Sequence, residues 1–275
     1  MQVLAVLKAV VLGIIEGVTE FLPVSSTGHL IIAEQILKLS EDRRFVTGFE
    51  VIIQLGAVLS IVVLYWSKLW PWAAHLEARR QTWRLWRRVI VGVIPAFLFG
   101  YLLDKVVTER LFSPLVVAAM LIFYGIVLLV IEAMLKRGQG PRHSDVHDIP
   151  LAVAFGIGLF QVLALVPGTS RSAATIIGGM ILGLSRAAAA EFSFFLAVPV
   201  MVGASGLTLA RLGARFSESE WLLLALGFLV SFFVALVVVR AFMGFVRRRS
   251  FVPFGYYRIG LGALVIGLFA FNVMH

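Results

Sequence analysis

Long apolar runs alternate with short charged segments along this chain, and six of the runs reach membrane-spanning length. They lie at roughly 49–66, 87–103, 114–135, 192–210, 221–243 and 255–273. A helix needs ~20 apolar residues to cross a bilayer core, so each run predicts one transmembrane helix. Runs such as Val51–Trp66 lack the polar–apolar alternation of a membrane barrel strand, which excludes that architecture. Two further stretches, roughly 3–37 and 150–185, are apolar but broken near their middles by proline-containing polar sequence. Each half is short for a full crossing. Both therefore predict re-entrant helix–loop–helix hairpins, whose irregular backbone is tolerated only inside protein or against a wet cavity. The competing reading makes each stretch a pair of tilted full spans. The expected fold class is an all-α polytopic membrane protein: six full transmembrane helices plus two re-entrant hairpins, in one integral membrane domain over residues 1–275.

Composition agrees with that pattern. The chain is 60% hydrophobic and only 14% charged, with a mean hydropathy of +0.99. A soluble domain has no means of covering so much apolar surface. Cysteine is absent, which excludes disulfides, thiolate nucleophiles and thiolate metal sites. No basic segment precedes the first apolar stretch and Lys8 interrupts it, so it is expected to be retained rather than cleaved.

The net charge of +9 sits in short loops between spans, which argues against nucleic acid as a partner. The 67–88 loop carries Lys68, Arg79, Arg80, Arg84, Arg87 and Arg88; 136–149 carries Lys136, Arg137 and Arg142; 244–254 carries Arg247, Arg248 and Arg249. The intervening loops are nearly balanced, with Asp104, Lys105, Glu109 and Arg110 in one and Arg211, Arg215, Glu218 and Glu220 in the other. Basic short loops stay cytoplasmic. The three basic loops are thus expected inside, facing anionic membrane lipid, with both termini outside. The first hairpin then enters from outside and the second from the cytoplasm. Opposed hairpins are what an inverted repeat produces. The pseudo-repeats would cover approximately 1–135 and 150–275, with Pro23 aligned to Pro167 and Ser26 to Ser170. A slightly shifted register sets Glu50 against Glu191.

The two breaks carry ionisable residues that lipid would reject, and such residues usually serve a function. The first reads Glu16-Gly-Val-Thr-Glu20-Phe-Leu-Pro23-Val-Ser25-Ser26-Thr27-Gly28-His29. Glu16 and Glu20, four apart, share a helix face, and two close carboxylates call for a cation between them or a shared proton. Mg²⁺ or Ca²⁺ suits carboxylate oxygens and would bridge them to a phosphate. The bland alternative is a helix end reaching interfacial water, the reading preferred for Glu50, Glu132 and Glu191, with a place facing the cavity left open for Glu50 and Glu191. His29 is the one histidine inside an apolar stretch and suits proton transfer near neutral pH. One of the neighbouring hydroxyls, Ser26 first and Ser25 next, is a candidate nucleophile activated by His29 or Glu20; otherwise these hydroxyls cap the following helix. The second break reads Pro167-Gly168-Thr169-Ser170-Arg171-Ser172-Ala-Ala-Thr175. The Arg171 guanidinium grips phosphate oxygens in pairs, Gly168 admits close backbone approach, and a helix starting near Ser170 aims N–H groups at an anion. Thr169, Ser170, Ser172, Thr175 and, upstream, Gln161 join Thr27 as candidate substrate contacts. A purely structural Arg171–Glu20 pair is the alternative.

Together the two motifs resemble bacterial undecaprenyl-diphosphate phosphatase of the bacitracin-resistance type, over essentially the whole chain. The resemblance implies hydrolysis of the terminal phosphate of a polyprenyl diphosphate lipid, recycling the carrier for cell-wall precursors. It also implies a divalent cation (Mg²⁺ or Ca²⁺) and a site in the bacterial cytoplasmic (inner) membrane opening toward the periplasm. The family's acidic pair falls on Glu16 and Glu20, its histidine on His29, its serine on Ser26 or Ser25 and its arginine on Arg171. A second similarity, to type 2 phosphatidic-acid phosphatases, fails because they need a histidine downstream of the Ser-Arg motif. Here none follows Arg171 until His275. The rival function class is a lipid-phosphate flippase, since paired broken helices also suit transport.

Overall fold

The computed structural model describes residues 2–72, 75–111, 113–137, 140–213 and 216–271. Among residues used above, Arg215 and His275 lie outside the described part, as do the side chains of Asp104, Lys105, Glu109, Arg110 and Arg137. In lipid a helix satisfies its own backbone groups, and the described chain forms helices and no strand. They are α1 (Gln2–Thr19), α2 (Ser26–Leu37), α3 (Arg43–Leu64), α4 (Trp66–Leu69), α5 (Leu76–Arg110), α6 (Pro114–Arg137), α7 (Leu151–Val162), α8 (Arg171–Ile181), α9 (Arg186–Leu212), α10 (Glu218–Val246) and α11 (Val252–Ala270).

Six of these are long and apolar enough to cross a membrane: Arg43–Leu64, Leu76–Leu103, Pro114–Lys136, Arg186–Leu212, Glu218–Val246 and Val252–Ala270. They correspond one to one with the six expected spans. Their ends differ from expectation. Arg79 to Arg88, read as loop, form the first turns of α5, and Glu218 and Glu220 lie in the first turn of α10. Arginine and glutamate are good helix formers, and apolar run length registers only the part that faces lipid. The two interrupted stretches form α1–α2 and α7–α8, each broken at its expected place. At 1.5 Å per residue, α2, α7 and α8 are each roughly 16–18 Å long against a ~30 Å bilayer core.

The helices pack in a pattern that exchanges the halves of the chain. α1 lies on α10 and α7 on α5; α3 packs on α10 and α9 on α5; α3 meets α9 and α6 meets α11. Swapping α1 with α7, α2 with α8, α3 with α9, α5 with α10 and α6 with α11 reproduces these pairings. Small residues make the equivalent contacts close. A Cβ on Gly158 of α7 would lie 2.2 Å from the Gly92 carbonyl of α5, and one on Gly17 of α1 would lie 2.7 Å from the Ser231 carbonyl of α10. Backbones this near maximise dispersion contact where no hydrophobic driving force exists.

Two acids expected at helix ends are buried struts instead. Glu132 is fully buried. It accepts from Arg186 Nε at 2.8 Å, Arg186 Nη2 at 2.5 Å and the Phe251 amide at 2.8 Å, tying α6, α9 and the start of α11. Glu191 of α9 pairs with Lys68 at 2.5 Å.

Candidate active site

The first break turns the chain back over residues 20–24 and hands it to α2 at Ser25. Ser25 has φ 74°, and its side chain accepts from the Gly28 amide at 3.3 Å, capping the helix. The second break ends the same way: Ser170 has φ 73° and its side chain accepts from the Ala173 amide at 3.3 Å. A non-glycine residue with positive φ costs ~1–3 kcal/mol and persists only where its surroundings over-determine it. The two breaks thus hand over to their helices through the same kind of cap, at Ser25 and at Ser170.

These breaks touch. Arg171 Nη2 donates to Glu20 Oε1 at 3.0 Å, and Ser26 Oγ donates to Glu20 Oε2 at 2.6 Å. Ser172 Oγ donates to the Leu22 carbonyl at 2.7 Å. Arg171 Nη1 donates to the Ser193 carbonyl at 2.7 Å, and the Thr175 hydroxyl bonds to Ser193 Oγ at 2.7 Å and to the Arg171 carbonyl at 2.9 Å. Below the guanidinium lies the buried Phe21 ring, 5.7 Å from Arg171 Cζ and edge-on to Phe194. Glu20 and Arg171 are only 4% and 12% exposed at their side chains, so their pairing is little screened by water.

A second arginine, not foreseen from the sequence, clamps both breaks from behind. Arg258 of α11 is fully buried. Its Nη1 donates to the Pro23 carbonyl at 3.1 Å, and its Nη2 to the Gly168 and Thr169 carbonyls at 2.9 Å each. Gly168 has φ 90°, and a Cβ there would sit 2.5 Å from the Val117 carbonyl of α6. Ser193 of α9, with hydrogen bonds to Arg171 and Thr175, was also missed. For Arg258 the signal was present: a guanidinium inside the apolar run 255–273. Ser193 gave none, since an intramembrane serine is common.

Other expected residues are placed apart from the Glu20–Arg171 pair. His29 Nδ1 lies 2.8 Å from the Ser25 carbonyl, which only accepts, so Nδ1 carries the proton. Its Nε2 then accepts from the Tyr257 hydroxyl at 2.6 Å. Neither ring nitrogen bonds to Ser25 Oγ, Ser26 Oγ or Glu20. Thr27 is half-buried in the first turn of α2, with no hydrogen bond from its side chain to another described residue. Gln161 and Thr169 are buried, and the Gln161 amide and Thr169 hydroxyl meet the geometry of a hydrogen bond with no partner among the described residues.

Glu16 is fully buried one turn before Glu20, and both its carboxylate oxygens lack a hydrogen-bond donor among the described residues. An orphaned carboxylate in such surroundings calls for a cation or a proton. No group of three or more His, Asp or Glu gathers among the described residues. At this place the described residues offer a cation two carboxylates, those of Glu16 and Glu20. That suits Mg²⁺, which is commonly held by one or two carboxylates, substrate phosphate oxygens and water. Chemically, the arrangement is a carboxylate hydrogen-bonded to a serine hydroxyl on one side and to a guanidinium on the other, in a nearly dry site.

Comparison with known proteins bears on this geometry. Residues 9–264 match the family described as "Bacitracin resistance protein BacA". The chain is 45% identical over 270 residues to "Undecaprenyl-diphosphatase 1" of Clostridioides difficile, covering 98% of this chain and 97% of that protein. It is 47% identical over 273 residues to "Undecaprenyl-diphosphatase" of Limosilactobacillus fermentum, covering 97% and 98%. It is 46% identical over 274 residues to "Undecaprenyl-diphosphatase 1" of Oenococcus oeni, covering 98% of each.

Proposed function

The chain belongs to the bacitracin resistance protein BacA family, and from that membership and its site we infer that it hydrolyses undecaprenyl diphosphate to undecaprenyl phosphate and inorganic phosphate. The observation that carries the mechanism is the continuous link Ser26–Glu20–Arg171 across the two breaks. Glu20 is aimed to accept the Ser26 proton as Oγ attacks the terminal phosphorus. The bond from that phosphorus to the bridging oxygen breaks, undecaprenyl phosphate leaves, and water then hydrolyses the phosphoserine. In the alternative, Glu20 deprotonates a water that attacks directly. Either way the reaction is dominated by positioning and charge neutralisation. Arg171 and the hydroxyls and amides at the start of α8 receive the diphosphate charge, and Arg258 acts as a positioning residue that holds both breaks together. A divalent cation held by Glu16 and Glu20 would supply further neutralisation of the diphosphate. His29, whose Nε2 accepts from the Tyr257 hydroxyl, is assigned to proton exchange with solvent on the α11 side of α2, outside the Ser26–Glu20 transfer.

The two interrupted pairs, α1–α2 and α7–α8, are proposed as re-entrant hairpins of an inverted repeat within a single membrane domain. Three helices too short to cross, matching caps at Ser25 and Ser170, and the exchangeable packing pattern support this reading. The proposed location is the bacterial cytoplasmic membrane, with the site opening toward the periplasm and the prenyl tail left in lipid. Purified protein in detergent with Mg²⁺ or Ca²⁺ should release phosphate from a long prenyl diphosphate, a result pure transport does not give. Arg171→Ala and Glu20→Ala should each lower turnover at least ~100-fold. Full activity in either variant rejects the assigned roles.

A further inference from the structure

Five of the six tryptophans gather where α4 meets the start of α5: Trp66, Trp70, Trp72, Trp83 and Trp86. They line an apolar groove of about 400 Å³ together with Leu69, Ile90 and Val198. Trp66 and Trp70 stack at 4.5 Å, and Trp70 meets Trp72 edge-on at 5.1 Å. Trp86 donates its indole N–H to the Leu69 carbonyl at 2.8 Å, which locks the floor of the groove. The other four indoles are exposed and donate to no acceptor among the described residues.

Directly beside it lies a hollow of about 570 Å³ lined by Arg79, Arg80, Arg84 and Arg87 of α5. Trp83 borders both spaces. Arg80, Arg84 and Arg87 recur at helical spacing, so their guanidiniums share one face with Trp83. None of the four forms an ion pair among the described residues, and the one acid nearby on the helix, Glu77, is exposed. Arg88, by contrast, is committed: its Nε donates to the Ile149 carbonyl at 2.5 Å. An apolar groove thus opens onto a group of unneutralised guanidiniums through an interfacial tryptophan.

We propose that this paired groove and hollow is a seat for an acidic phospholipid, one acyl chain lying among the tryptophans and the phosphate headgroup on Arg79, Arg80, Arg84 and Arg87. Charge complementarity selects the occupant: guanidiniums pair with phosphate oxygens, and a zwitterionic headgroup brings no net charge to meet them. The exposed indoles place their N–H groups at headgroup level while their rings face acyl chain. The seat is built from α3, α4, α5 and α9 residues and contains none of the residues assigned to hydrolysis.

The test uses the full-length Trp221→Phe protein, in which every remaining tryptophan belongs to the groove. Reconstituted in zwitterionic lipid, it is titrated with brominated-chain phosphatidylglycerol or brominated-chain phosphatidylcholine while fluorescence is followed. The acidic lipid should reach half-maximal quenching at a mole fraction at least about fivefold lower, the factor that ~1 kcal/mol from even one surface arginine supplies. Replacing Arg79, Arg80, Arg84 and Arg87 with glutamine should erase the difference, and added salt should narrow it. Phosphate release by the same variant reports that it is folded. Equal quenching by both lipids, or a preference that survives the fourfold replacement, overturns the proposal. So does displacement of the brominated lipid by inorganic diphosphate, which would mark a free-anion site, or by polyprenyl diphosphate, which would mark a substrate site.

Discussion

At the scale of single residues, the adjacent serines of the first break have different work. Ser25 holds a positive-φ helix cap, whereas Ser26 gives its hydroxyl to Glu20. Ser25→Ala should therefore cost about 1 kcal/mol of stability through the lost cap and keep a measurable turnover. Ser26→Ala should lower kcat at least ~100-fold with little change in the melting temperature. Phosphate-release kinetics beside thermal unfolding in detergent separate the two, and the opposite ranking would exchange their roles. Arg258 offers a complementary case. Lysine keeps its charge but presents a single ammonium where a planar fork now meets three carbonyls of two different breaks. Arg258→Lys should lower kcat at least ~10-fold while KM moves less, because the loops lose their alignment and not their phosphate ligands. A variant with normal kcat and a raised KM would mean that Arg258 meets substrate instead.

At the scale of elements, spans and breaks were legible because lipid imposes a one-dimensional rule: apolar length decides what crosses. That rule is blind to where a helix ends in water, which is why the arginine-rich turns of α5 read as loop. It also averages away one charge within a long run, which is how Arg258 escaped notice inside α11. The meeting of Glu20 with Arg171, separated by 151 residues, was legible through chemistry, since neither is tolerable in lipid alone. The matching caps at Ser25 and Ser170 were not, because they lie in backbone dihedrals and not in residue identity. Helix contacts were equally hidden, as many intramembrane glycines contact nothing. Gly158 does: with the Gly92 carbonyl 2.2 Å from any added Cβ, α7 has no room to keep its distance from α5. Gly158→Ala should destabilise the protein by about 1–3 kcal/mol, read as a lower melting temperature. Gly267→Ala, in open space on α11, serves as the neutral comparison; equal behaviour of the two would rule out the close α5–α7 contact.

At the scale of the whole molecule, the exchange of packing partners and the distribution of charge make one joint demand. If the halves are inverted copies, the ends of the two hairpins must face opposite sides of the membrane. The chain has no cysteine, so single introduced thiols report sidedness without background. Glu41 follows α2 and Ser144 precedes α7, and both are exposed. Basic segments between α3 and α5, between α6 and α7, and between α10 and α11 are expected on the cytoplasmic face. Ser144 lies in the second of these and is therefore inside, and one crossing by α3 leaves Glu41 outside. In intact cells an impermeant maleimide should label Glu41→Cys at once and Ser144→Cys only after permeabilisation. Labelling of both from one side would make the repeat parallel. Glu20 and Arg171 would then belong to hairpins dipping from a common face, and the pairing seen between α1–α2 and α7–α8 would need a different topological origin.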